Sequence, residues 1–131
     1  MKLDHVLLRT ADLAVMSRFL VDVIGLEPGP RPPFPFAGAW FYSEGQPLVH
    51  VVDEPQASVS ANGAVVHVAL SGAGYGELIS RLQAQQLTYY EKDVPLSGER
   101  QVFISGPDQL MVDMLFPIGT AADRPMPYAR V

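Results

Sequence analysis

The sequence contains no cysteine, which removes disulfides, thiolate metal sites and a cysteine nucleophile at one stroke. Basic residues are few. The 9 Lys and Arg stand against 14 Asp and Glu, for a net charge of −5 over 131 residues. No cationic stripe is present to neutralise a phosphate backbone, so nucleic acid is not an expected partner. Long apolar runs are missing too: none approaches the ~18 residues that cross a bilayer. The N-terminal stretch MKLDHV leads straight into an acidic, patterned segment, and the expectation is a cytoplasmic protein without a membrane partner. What remains is ordinary for a folded domain, with 48% hydrophobic and 18% charged residues. A chain of this length buries about two thirds of its unfolded surface, enough for one core.

The pattern of elements occurs twice. Leu3 to Arg9 is β-like, and Asp12 stands as an N-cap before a helical pattern with Leu13, Met16, Leu20 and Ile24 on its apolar positions and Gly25 at its stop. The stretch EPGPRPPFPF, with prolines at Pro28, Pro30, Pro32, Pro33 and Pro35, is expected to be an extended loop, because proline has no N–H to give a sheet. Ala39 to Tyr42 and Leu48 to Val52 read as strands joined by the turn SEGQP. After the polar connection DEPQASVSANG the order starts again. A strand at 65–70 precedes a helix at 75–86 with Leu78, Ile79 and Leu82 on one face, then a loop at 91–99 and strands at 100–104 and 110–115. The repeat delimits one domain made of a module at 1–57, a module at 62–117 and a tail at 118–131. That tail, PIGTAADRPMPYARV when counted from Pro117, has three prolines and little periodicity. The expectation is a segment that drapes over a neighbouring subunit or is disordered.

Histidine is also scarce, and its placement follows the repeat. The chain has three, His5, His50 and His67. LDHVLL and VVHVAL place His5 and His67 at equivalent positions 62 residues apart, and PLVHVV and QLMVDM place His50 and Asp113 at equivalent positions 63 apart. One histidine in an apolar strand is commonly a half-buried side chain with a backbone partner. An aspartate between Val112 and Met114 is different, since a buried carboxylate costs several kcal/mol unless it is paired or metal-bound. A single divalent ion accounts for all four groups, because imidazole nitrogen and carboxylate oxygen suit Zn²⁺, Fe²⁺, Mn²⁺ and Ni²⁺ without any thiol. Each group is expected to point into a space that the two halves build together.

From LDHVLLRTADL through VIGLEP, AWFYSEGQPLVHVV and VVHVAL to GERQVFISGPDQLMVDMLF, the chain resembles the vicinal oxygen chelate superfamily. That superfamily includes glyoxalase I, extradiol dioxygenases, methylmalonyl-CoA epimerase, and the fosfomycin- and bleomycin-resistance proteins. The resemblance implies an α+β fold of two repeated βαβββ modules whose curved mixed sheets enclose a metal-binding cavity, together with a homodimer. It places the metal ligands at His5, His50, His67 and Asp113. Three departures stand out: the turn before the last strand is GPDQ where the family commonly has DPDG, the last ligand is aspartate instead of glutamate, and His50 stands where glyoxalase I has a glutamate.

The chemistry implied is Lewis-acid catalysis on a small substrate that chelates the metal through two vicinal oxygens. In one form four ligands hold the ion, and a lyase, isomerase or epimerase step passes through an enediolate with Asp113 as proton acceptor. In a second, His5, His67 and Asp113 form a two-histidine, one-carboxylate set around Fe²⁺ for ring cleavage with O₂, and His50 is an acid/base. The third is a metal-free drug- or metabolite-binding protein. Arg9, Trp40 and Arg100 are candidate substrate contacts. Trp40 competes with a core role and Arg100 with a solvated one.

Overall fold

A threonine and an aspartate turn the first strand into the first helix. The Asp12 N–H donates to Thr10 Oγ1 and the Val15 N–H donates to Asp12 Oδ1, both at 3.1 Å, occupying donors that a helix start leaves open. The structure is a computed structural model that describes residues 1–55 and 64–117. The tail and most of the inter-module connection lie outside the described residues. The chain divides into two compact units, Met1–Ala61 and Asn62–Val131.

Unit 1 contains β1 (Val6–Thr10), α1 (Leu13–Arg18), β2 (Glu27–Gly29), β3 (Gly38–Ser43) and β4 (Gln46–Asp53). Its sheet has the order β1-β4-β3-β2, with β1 parallel to β4 and the other pairs antiparallel. α1 continues into a π-helical stretch, Phe19–Ile24, closed by Gly25 at φ 95°, a left-handed conformation that glycine adopts without strain. Hydrogen bonds five residues apart widen this turn and bring Phe19 and Val23 into the core beside Met16, Leu20 and Ile24. The expected stripe lacked those two, and Leu13 is only half-buried.

Unit 2 repeats the plan with β5 (Val68–Ser71), α2 (Tyr75–Ala84), β6 (Tyr89–Asp93), β7 (Arg100–Ser105) and β8 (Met111–Phe116). Its order is β5-β8-β7-β6, with β5 parallel to β8. Tyr75, Leu78, Ile79 and Leu82 of α2 are buried, as are Val102, Ile104, Val112 and Phe116 of the sheet. Each unit is therefore βαβββ. No helix among the described residues is long and apolar enough to cross a membrane.

Two expectations for the loops need correction. The proline-rich segment opens with β2, and the loop expected from residue 91 opens inside β6. Both strands sit at a sheet edge, where Pro28 loses no ladder bond and where Lys92 and Asp93 stay exposed. The histidine strands also differ from expectation. β1 and β5 begin at Val6 and Val68, so His5 and His67 each stand one residue ahead of a strand. Both strands are edges that alternate between half-buried and exposed residues, except that β1 ends on the buried Thr10.

Candidate functional site

In unit 2 the site is built on the sheet face turned away from α2. Along β8, Val112, Met114 and Phe116 share one face, and Asp113 takes the other by strand alternation. Directly across from Asp113 on β7 lies Phe103. Asp113 is 2% exposed. Its Oδ2 accepts a hydrogen bond from Gln101 Nε2 at 2.8 Å, and its Oδ1 is buried with no hydrogen-bond partner among the described residues. His67 Nε2 lies 3.7 Å from Oδ2, too far for a hydrogen bond. The His67 ring meets Phe103 edge-on, with centroids 5.5 Å apart. Tyr90 stacks on Phe103 at 4.7 Å, and Lys92 Nζ lies 5.1 Å from the Phe103 centroid. The result is a buried carboxylate with one oxygen unpaired. Apart from His67, no cation forms an ion pair with it among the described residues.

Unit 1 carries the equivalent face. Trp40 is the cross-strand partner of His50, just as Phe103 is of Asp113. Three rings lie parallel: Trp40 and His50 with centroids 3.8 Å apart, and His50 and His5 with centroids 3.9 Å apart. His50 Nε2 donates to the Pro47 carbonyl at 3.1 Å, which puts its proton on Nε2 and leaves Nδ1 with a free lone pair. His5 Nδ1 donates to Asp4 Oδ2 at 2.7 Å, which leaves Nε2 free in the same way. The bond from His5 holds the Asp4 carboxyl below its usual range. Burial, and then the neighbouring His5, lower the pKa of His50.

The His50 shift sets a pH dependence with a definite sign. Its folded pKa lies below the unfolded one, so the unfolded chain takes up the proton first as pH falls. The stability from keeping His50 neutral is complete above the unfolded value of about 6.5 and is lost as pH falls toward the folded value. The melting temperature is expected to drop between about pH 7.5 and 5.5, and His50→Phe, which keeps the stack, is expected to flatten that drop. An equal drop in the variant would show that other groups govern the window.

Solved structures supply the comparison. No protein-family model and no curated protein sequence matches this chain. A glyoxylase/bleomycin resistance protein/dioxygenase domain from Frankia sp. superposes with a TM-score of 0.73 at 13% identity, over 89% of this chain and 98% of that one. A genomically encoded fosfomycin resistance protein from Listeria monocytogenes gives a TM-score of 0.68 at 16% identity, over 95% and 98%. A lactoylglutathione lyase from Agrobacterium tumefaciens gives 0.63 at 20% identity, over 86% and 90%. The chain has the glyoxalase-like α+β fold of these structures.

Within this fold, the four sequence-derived ligand candidates come together as two pairs, His5 with His50 and His67 with Asp113. No group of three or more His, Asp or Glu forms a metal cluster among the described residues. Arg9 pairs with Glu54 at 2.8 Å, and both side chains are well exposed. Arg100, a candidate substrate contact weighed against a solvated role, is not solvated. It is 6% exposed, and residue alternation turns it to the α2 face, opposite Asp113. Its Nε donates to Asp93 Oδ1 at 2.9 Å, its Nη1 donates to the Tyr75 hydroxyl at 3.4 Å and lies 3.7 Å from Glu91 Oε1, and Tyr75 donates to Glu91. Burial is the largest influence on the Arg100 pKa and works against the charge, but the bonds to Asp93 and Tyr75 outweigh it and raise the pKa.

Two partners of the site escaped the sequence reading. Asp4 adjoins His5 and was legible as the pair DH. Gln101 follows Arg100 and carries no sequence signal, because its contact with Asp113 depends on the β7–β8 register.

Proposed function

We propose that the protein is a metal-dependent enzyme in which His5, His50, His67 and Asp113 are ligands of a divalent ion and a small substrate chelates that ion through two vicinal oxygens. The observation that carries this is Asp113, a buried carboxylate with an unpartnered oxygen and, among the described residues, no ion pair to a lysine or arginine. Such a charge costs several kcal/mol unless a cation offsets it. The pair His67 and Asp113 comes near the spacing of two ligands: two ligand atoms on one ion, each about 2.0–2.2 Å from it, stand roughly 3–3.6 Å apart, and the 3.7 Å between His67 Nε2 and Asp113 Oδ2 is just beyond that range. Imidazole and carboxylate together suit Zn²⁺, Fe²⁺, Mn²⁺ or Ni²⁺.

A bound divalent ion stabilises negative charge developing on a substrate oxygen. The chain's own residues divide the remaining work. Asp113 Oδ2 lies on the His67 side, and Oδ1 is the atom that accepts a proton from the substrate carbon in a lyase, isomerase or epimerase step. Asp4 and the Pro47 carbonyl fix the tautomers of His5 and His50, so that Nε2 of one and Nδ1 of the other keep a lone pair for a metal ion. Trp40 and Phe103 are the apolar partners of His50 and Asp113. Leu3, Leu7, Val65 and Val66 stand exposed around the first strand of each repeat, apolar surface that a second copy would cover in a homodimer.

The second reading, ring cleavage at Fe²⁺, draws support from the anchored, stacked His50, which suits an acid/base as well as a ligand. His50→Ala separates the two. Loss of metal identifies a ligand, whereas retained metal with turnover down roughly 10²–10⁴-fold identifies an acid/base.

Anaerobic reconstitution with Zn²⁺, Mn²⁺, Fe²⁺ and Ni²⁺ tests the proposal itself. About one equivalent per chain is expected, and a Kd a hundredfold below the free metal concentration adds roughly 2.7 kcal/mol of stability. Sedimentation of the same sample is expected at about twice the chain mass of 14.3 kDa. Uptake below about a tenth of an equivalent with an unchanged melting temperature would sink the metal reading and favour the metal-free binding protein.

A further inference from the structure

We infer that Gln101 is a positioning residue that makes the two oxygens of Asp113 inequivalent, holding Oδ2 opposite His67 Nε2 and leaving Oδ1 free. The inference rests on the metal proposal above and deepens it. Gln101 pairs in register with Leu115, and Asp113 with Phe103, so Gln101 and Asp113 are diagonal neighbours on one face of an antiparallel pair. Long side chains span that separation. The Gln101 amide does so with a 2.8 Å bond to Oδ2. A carboxylate accepts and does not donate, which identifies the amide NH₂ as the group facing it.

An aspartate's terminal torsion is broad and roughly twofold, so without a fixed partner either oxygen could take the His67 side. Among the described residues, the Asp113 carboxylate accepts its hydrogen bond at the oxygen that lies 3.7 Å from His67, and the other oxygen, which is buried, has none. A neutral amide is the donor suited to this place. A lysine or arginine there would neutralise the carboxylate and repel a metal ion, whereas an amide orients the carboxylate without altering its charge. The repeat offers an internal comparison. His5 is anchored by Asp4 and His50 by the Pro47 carbonyl; the position equivalent to Gln101 in unit 1 is Gly38, which has no side chain. The anchor thus appears where the ligand candidate is a carboxylate, in line with the outer-shell hydrogen bonds that orient metal ligands generally.

The test uses Gln101→Met, which keeps the length and removes the donor, and Gln101→Asn, which keeps the amide but shortens its reach. Co²⁺ affinity is measured by chelator competition and the Co²⁺ site by visible absorption, both well below the melting transition so that stability does not enter. Affinity is expected to fall about 10–100-fold in both variants, with a changed Co²⁺ spectrum. Wild-type affinity and spectrum in the variants would overturn the inference while leaving the metal proposal standing. Absence of Co²⁺ uptake by the wild-type protein would overturn the metal proposal and this inference with it. If Gln101→Met fails to fold, Gln101→Asn decides.

Discussion

Asp113→Asn is expected to move the metal-free and metal-loaded proteins in opposite directions. In the metal-free protein the aspartate buries a negative charge at 2% exposure with one oxygen unpartnered. Asparagine has nearly the same shape, and its carbonyl accepts the Gln101 bond without a charge to desolvate. Removing the buried charge is expected to stabilise the metal-free protein by about 1–3 kcal/mol. The metal then loses an anionic ligand, and affinity is expected to fall by about a hundredfold or more, close to 2.8 kcal/mol at 1.4 kcal/mol per tenfold. Urea unfolding with and without Zn²⁺ reads both effects. A less stable metal-free variant that still gains full stability from zinc would show that Asp113 is a structural residue satisfied in some other way.

The second large effect is expected on the far face of the same sheet. Arg100→Met removes the guanidinium from between Glu91, at 3% exposure, and Asp93. Glu91 is left buried with the Tyr75 hydroxyl but without a countercharge, a loss on the order of 3–5 kcal/mol. Adding Glu91→Leu is expected to recover part of that loss, because replacing both members of a buried pair leaves no charge uncompensated. Metal content is expected to be unchanged throughout. A change in metal affinity in Arg100→Met, or a double variant less stable than the single, would contradict the separation of the two faces.

The two sites, one residue apart in Arg100 and Gln101, show where sequence stops being informative. The repeat itself was legible, because turn glycines, the Asp12 cap and apolar periods are local signals that recur, and they put His5, His50, His67 and Asp113 at matching positions before any contact was known. β2 and β6 were not legible. As edge strands they bury little, so proline and charge replace the alternation that marks a strand. Nor could the sequence show that α1 widens into a π-helical turn, which brings Phe19 and Val23 into the core.

The sequence by itself determined the module plan and the set of chemically unusual residues, since helix caps, turns and periodicity act over a few neighbours. Only the tertiary structure decided which of them meet. The β7–β8 register sends Arg100 to the helix face and Gln101 to Asp113, and the β3–β4 register stacks Trp40 on His50. A register is set by hydrogen bonds between residues distant in sequence, and a slip of one residue would exchange the faces of every side chain on the strand.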